Sequence, residues 1–334
     1  MKLKLMVLLA VMIIATSCGQ HDKDPANSHT SVLESPRLAD LTDSIKRFPG
    51  DAELRIRRAL ILSHMNQHET ATADYKKAWE ITGDESLALD LASNLMVSGH
   101  IKQAVDLLKD GMKKFPRNTE FNRRLAEVYL QEGNRKAAAV EYDKMIETDS
   151  ANFEAWYDKG ILLAKSNDTA NAIKALEKSF AIMPINYSGM ALANIYVAKK
   201  NPRILDICNI ILSHDSANIQ TEPVFMKGVY YADEKHYDSA LQQFNECIRR
   251  DWKMTDAYIE KGIILYERKQ YEDALKVFNM TVTVSNTVAD GYYWLGRCYE
   301  ATGKFKDAIE NYKRAVALDK TFTEARAALQ RLNS

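Results

Sequence analysis

Residues 289–322 read ADGYYWLGRCYEATGKFKDAIENYKRAVALDKTF, and their spacing decides the fold. Gly296 is followed by Tyr299 three residues on, Ala308 twelve on and Tyr312 sixteen on. Thirty-four residues earlier, Gly262 has Leu265, Ala274 and Phe278 at the same offsets, and thirty-four before that Gly228 has Tyr231, Ala240 and Phe244. Gly160 keeps Ala172 and Leu176. Nearer the N-terminus alanine takes the glycine slot: Ala59, Ala92 and Ala126 are followed twelve on by Ala71, Ala104 and Ala138. Pro116 and Pro184 close two of the periods.

A fixed period of this length is the mark of a stacked-repeat architecture. Positions 4, 8 and 11 of each period fall on one stripe of a first helix, at i, i+4 and i+7. The small residue at position 8 lets a second helix approach closely. A helical glycine costs about 1 kcal/mol against alanine, so four of them need large side chains packed around them as an offset. One period cannot bury its own apolar face, but stacked neighbours can.

These residues resemble the tetratricopeptide repeat (TPR) pattern, a helix–turn–helix of 34 residues. The resemblance implies an all-α solenoid of about eight repeats in a right-handed superhelix. The repeats lie near 52–84, 85–118, 119–152, 153–186, 187–220, 221–254, 255–288 and 289–322. The fifth is degenerate, with Leu205 where alanine is expected and Asn201-Pro202 in its turn. Residues 37–51 read as a leading half-repeat or cap and 323–334 as a capping helix.

Composition agrees. The 13 glycines and 7 prolines make 20 of 334 residues, about half the usual ~12%, which excludes collagen-like and Pro/Gly-rich chains and disfavours a turn-rich β fold. Lys+Arg and Asp+Glu balance at 45 each, so no global field points to nucleic acid. Cys208, Cys247 and Cys298 form no CxxC and read as buried free thiols.

Residues 1–17 read as a secretory signal: Lys2 and Lys4, an apolar run from Leu5 to Ala15, then small residues. The Ala15-Thr16-Ser17-Cys18 ending resembles a bacterial lipobox, although leucine is usual where Ala15 stands. It implies cleavage before Cys18 and acylation of that residue. The polar stretch 18–36 reads as a tether to the folded body, so the expected place is the bacterial cell envelope, at the outer membrane.

No GxGxxG, P-loop, HExxH or GxSxG occurs, and no catalytic residue, metal ligand or cofactor is expected. His64 and His68 are four apart, but His68 falls in a turn. Asp-Ser/Thr followed by a small residue recurs and resembles an acceptor pattern for periplasmic O-glycosylation, with Ser150, Thr169 and Ser216 as candidate sites. Helix capping and turn chemistry is the plainer reading of the same residues.

In the TPR family, positions 2, 5, 9, 12 and 13 of each first helix face a concave groove. Here those slots hold Tyr157, Ile161, Phe225, Val229, Ile259, Ile263, Tyr266, Tyr293 and Arg297. Position 2 is repeatedly acidic: Glu154, Glu222, Asp256 and Asp290, with Asp233 and Glu267 nearby. The Lys/Asn pairs with which some TPR proteins grip a peptide's terminal carboxylate are absent; only Arg123 and Asn194 occupy such slots. The resemblance therefore implies a non-catalytic scaffold for a protein or peptide partner, with no nucleic acid. The alternative is an accessory subunit of an envelope enzyme or export machine.

Overall fold

The computed structural model describes residues 32–333. The signal, Cys18 and most of the tether lie outside the described residues. The chain divides into two compact segments between Phe121 and Asn122.

In the first segment, α1 (Ala39–Arg47) precedes two helix pairs: α2 (Ala52–His64) with α3 (His68–Thr82), and α4 (Glu85–Val97) with α5 (Ile101–Lys114). Asp51 caps α2 by accepting from the Leu54 amide, and Asp84 caps α4 through the Ser86 and Leu87 amides. The core centres on Leu38, Leu62, Tyr75, Leu91 and Leu95. Val32 and Leu33, which composition assigns to the tether, pack against this core, and the Leu33 carbonyl accepts from Thr42 Oγ1.

In the second segment, the pairs are α6 (Glu120–Gln131) with α7 (Arg135–Thr148), α8 (Phe153–Lys165) with α9 (Thr169–Ile182), and α10 (Asn186–Ala198) with α11 (Arg203–Ser213). They continue as α12 (Glu222–Asp233) with α13 (Tyr237–Arg250), α14 (Thr255–Glu267) with α15 (Tyr271–Val284), and α16 (Ala289–Ala301) with α17 (Phe305–Leu318). α18 (Thr323–Asn333) follows them. The protein is an all-α solenoid of tandem helix–turn–helix repeats.

The slot at position 8 works as the spacing predicts. A β-carbon on Gly160, Gly228, Gly262 or Gly296 would stand 2.5–2.6 Å from Leu176, Phe244, Phe278 or Tyr312, the residue sixteen on in the paired helix. Seven residues after each slot the chain turns through a left-handed residue. After slots 59, 92, 126, 160, 193, 228, 262 and 296 these are Asn66, Gly99, Gly133, Asn167, Lys200, Lys235, Lys269 and Gly303. The slot of the fifth repeat is thus Ala193, fully buried.

The degenerate repeat departs from the frame in its second helix. Ile204, Cys208 and Ile211 are buried, one residue earlier than the equivalent positions elsewhere, and Leu205 is only half-buried. Pro202 sits at the N-cap of α11 with φ −62°, so it starts the helix without side-chain capping and its inward face comes one residue sooner. Leu205 therefore does not occupy the alanine slot; Ile204 does. The longer loop after α11 is pinned by Arg250, which donates to Asp215 (2.9 Å) and to the Gln220 carbonyl (2.9 Å).

Candidate functional site

The first helices of the later repeats start from defined signals. Asn152 caps α8 through the Ala155 amide, and Pro223 lies in the first turn of α12. Glu154, Glu222, Asp256 and Asp290 all fall in first turns, where a negative charge favours the helix dipole. Part of the acidic pattern at position 2 is thus explained by helix formation alone.

The candidate groove residues distribute over three successive core clusters. Tyr157 and Ile161 pack at the edge of one that includes Leu176 and Met226, and Tyr157 meets Tyr187 edge-on at 4.6 Å. Phe225 lies against Phe244 at 5.6 Å, whereas Val229 is itself buried. Ile259, Ile263, Tyr266 and Tyr293 border the cluster of Phe278, Trp294 and Leu295. Tyr293 is also partly covered by the Phe322 ring, 4.9 Å away between centroids, and it packs with Leu329 and Leu332 of α18 against the cluster of Ala308, Tyr312 and Ala328. Apart from Val229, which is buried and contributes packing and no surface, the set is half-buried.

The acidic residues behave unequally. Glu154 pairs with Arg123 at 3.0 Å, and Glu267 accepts from the Tyr237 hydroxyl at 2.8 Å. Asp233, Asp256, Glu267 and Asp290 all act on Glu260, a half-buried residue of α14 that spacing did not single out. Burial first, then these four carboxylates, push its carboxyl up to about 7. Partial desolvation, then Asp256, Asp319 and Glu324, also raise Asp290. The signal was present: Asp256, Glu260 and Glu267 lie at i, i+4 and i+11 on one face of α14.

Arg297 occupies an aromatic box. Its guanidinium carbon lies 5.2 Å from the centroid of Tyr266, 5.5 Å from Trp294 and 5.8 Å from Tyr293. It donates to the Tyr293 hydroxyl (3.0 Å) and to the Tyr266 hydroxyl (3.2 Å). Burial pulls its pKa down, but the two phenolic oxygens outweigh this and hold it charged. Tyr266, Tyr293 and Arg297 line a cleft of about 680 Å³ with Glu300 and Ala301 of α16 and Glu324, Ala327, Ala328 and Arg331 of α18.

The remaining candidates are placed as follows. Ser150 and Ser216 are exposed in turns, and Thr169 is half-buried at the start of α9. Their preceding aspartates are engaged in structure. Asp149 accepts from the Ala151 amide, and Asp168 caps α9. Asp215, against the upward push of burial, is held below the usual carboxylate range by the Gln220 and Ile219 amides and by Arg250. The thiols of Cys208, Cys247 and Cys298 are free, buried and pushed up to about 12 by burial, which leaves them inert. His64 ends α2, and His68 begins α3 with Nδ1 3.1 Å from Asn94 Oδ1. Among the described residues no group of three His, Cys, Asp or Glu is arranged to hold a metal, and no helix is long and apolar enough to cross a membrane.

Four profiles described as tetratricopeptide repeat match residues 95–159, 153–186, 225–284 and 289–322, together more than half of the chain. The chain belongs to the tetratricopeptide repeat family. Among solved structures, this TPR chain is similar to the C-terminal part of a TPR repeat-containing protein from Cytophaga hutchinsonii. That match has 14% identity and a TM-score of 0.56, covering 71% of this chain and 98% of the other. A tetratricopeptide repeat protein from Parabacteroides merdae matches at 14% identity over 85% of this chain and 99% of its own, with a TM-score of 0.40. YrrB, described as a TPR protein with an unusual peptide-binding site, matches at 16% identity over 67% and 97%, with a TM-score of 0.38. No curated protein matches the TPR chain significantly.

Proposed function

We propose that this TPR protein is a non-catalytic scaffold whose C-terminal repeats take a partner segment with apolar anchors and Lys or Arg side chains. One observation carries the reading. Glu260 stands among Asp233, Asp256, Glu267 and Asp290 beside the aliphatic side chains of Ile259 and Ile263. A cation supplied by a partner would relieve that repulsion, while apolar anchors cover the half-buried aromatic edge.

The same proposal places the scaffold in the bacterial envelope through acylation of Cys18, facing the periplasm or cell surface. The fitting roles are assembly of a secretion or polysaccharide-export complex, or recruitment of envelope proteases and peptidoglycan hydrolases. O-glycans at Ser150, Thr169 and Ser216 belong to that setting. In-cell photocrosslinking from position 225 or 293, with mass spectrometry of what is captured, tests the groove. One partner is expected, and its capture in a pull-down with the purified protein should vanish when Tyr157, Phe225 and Tyr293 are changed together to alanine. Capture that survives the triple change refutes the site. Cys18→Ser should release the protein from the membrane fraction.

A further inference from the structure

We infer that Ile219 and Trp252, with Lys253 beside them, form a second membrane contact that dips into the interface of an anionic bilayer. The inference goes beyond acylation at Cys18, and its choice of a bilayer as occupant rests on that reading.

Ile219 and Trp252 are 74% and 60% exposed, more than any other large apolar side chain described in the second segment. The fold does not require the indole. Trp252 follows Gly228 by 24 residues, and at that offset other repeats carry Pro116, Ser150, Pro184, Asn286 and Lys320. Ile219 belongs to the longer loop before α12, and Trp252 to the turn after α13, so both lie at the same end of that helix pair. Arg250 joins the two segments. It stands two residues before Trp252 and donates to Asp215 and to the Gln220 carbonyl, on either side of Ile219. The side chains of Arg250 and Asp215 are only 9% and 3% exposed, so a buried ion pair holds an exposed apolar tip in place. A tip fixed in this way gives up little entropy on docking.

The charges select the occupant. The neighbouring acids are already engaged: Asp215 by Arg250 and the Ile219 and Gln220 amides, Asp251 by the Lys253 amide, and Glu246 by Arg249 and Arg250. Lys253 has no acid partner among the described residues, and its ammonium stands 5.4 Å from the centroid of the Trp252 ring. A free cation remains for an anionic headgroup. Tryptophan favours the membrane–water boundary, and a lysine beside it keeps its ammonium among headgroups while its stem lies along apolar surface. An aliphatic side chain standing clear of the protein finds cover at the edge of the hydrocarbon layer. The 13 residues from Gly19 to Ser31 can span at most about 45 Å. Acylation at Cys18 therefore keeps the folded chain close to a bilayer, where a weak contact is populated.

The test couples the mature chain, residues 18–334, to vesicles of phosphatidylethanolamine and phosphatidylglycerol through the Cys18 thiol and a maleimide lipid. Cys208, Cys247 and Cys298 are buried and do not compete. Coupling makes the result independent of natural acylation, which the Cys18→Ser fractionation decides. Brominated acyl chains quench tryptophan at short range, and subtraction of the Trp252→Phe signal isolates Trp252 from Trp79, Trp156 and Trp294. The bromolipid should remove at least about half of the Trp252 emission. Ile219→Asp should restore most of it, and Lys253→Glu should restore part. Both positions are exposed, so an unchanged thermal midpoint in each variant separates loss of contact from loss of fold. Trp252 emission that the bromolipid leaves intact overturns the inference, whether or not Cys18 proves to be acylated. Emission that shifts to the blue with rising protein concentration in the absence of lipid assigns the tip to a second copy of the chain and overturns it as well.

Discussion

Tyr312 lies across Gly296 so closely that a β-carbon on the glycine would stand 2.6 Å from ring carbon Cε1. The ring has no room to step aside, since Tyr312 is fully buried and its hydroxyl donates to Glu300 at 2.8 Å. Gly296→Ala gains about 1 kcal/mol of helix propensity and loses about 1–3 to overpacking. A net loss of about 1 kcal/mol is expected, seen as faster amide exchange along α16 and α17. Unchanged or slower exchange would mean that the two helices can part, as the pairing of Ala126 with Tyr142 in another repeat allows.

The left-handed turn residues predict the opposite sign. Lys200, Lys235 and Lys269 have φ of 51°, 61° and 61°, where other repeats use glycine or asparagine. A side chain there costs about 1–2 kcal/mol, and glycine gives back about 0.5–1 through its freer unfolded chain. Each Lys→Gly change should therefore stabilise by about 0.5–1 kcal/mol. The three sites lie in different turns, so the gains should nearly add and raise the thermal midpoint of the triple variant. Gly303→Ala should lower it.

The period was legible because close helix packing tolerates only small residues at one slot, and that constraint recurs every 34 positions whatever the surface does. Spacing failed where a local backbone event changed the phase, as Pro202 does in α11. It also failed where function depends on neighbours from other repeats. Glu260 gathers Asp233 and Asp290 from α12 and α16, and Arg297 gathers Tyr266 from α14, so neither arrangement shows within one repeat. Val229 sat at a groove position by frame yet is buried, because helical position sets direction and not how closely the next helix packs. The buried pair of Arg58 and Asp74 was missed for the same reason, its residues lying sixteen apart on paired helices.

That pair makes a stability prediction in the first segment. Arg58 donates Nε to Asp74 Oδ2 (2.6 Å) and Nη2 to Oδ1 (2.8 Å), with Nη1 on Thr42 Oγ1 (3.1 Å), so it ties α1, α2 and α3 together. Asp74→Ala leaves a buried guanidinium without its counter-ion and should cost about 3–5 kcal/mol. The loss should appear as amide exchange of α1–α3 at rates much closer to the unfolded limit. Replacing both residues by leucine and methionine should recover much of it, since an apolar pair of similar volume needs no desolvation of charge.

Glu260 couples stability and binding to pH with opposite signs. Its carboxyl titrates at about 7 in the folded chain against 4.5 unperturbed, so the folded state holds the proton more tightly. The resulting stability is fully present below pH 4.5, declines as pH rises towards 7 and is gone above it. Glu260→Gln should therefore match the wild type in urea unfolding near pH 4.5 and exceed it by about 1–2 kcal/mol at pH 8, after allowance for partial solvent screening. Binding runs the other way. Above pH 7 the wild-type trough carries one more negative charge, so a lysine-bearing apolar peptide should bind several-fold more tightly at pH 8 than at pH 6. In Glu260→Gln that pH dependence should flatten. A peptide affinity that is equally pH-dependent in the two proteins would place the titrating group elsewhere and remove Glu260 from the recognition of cations.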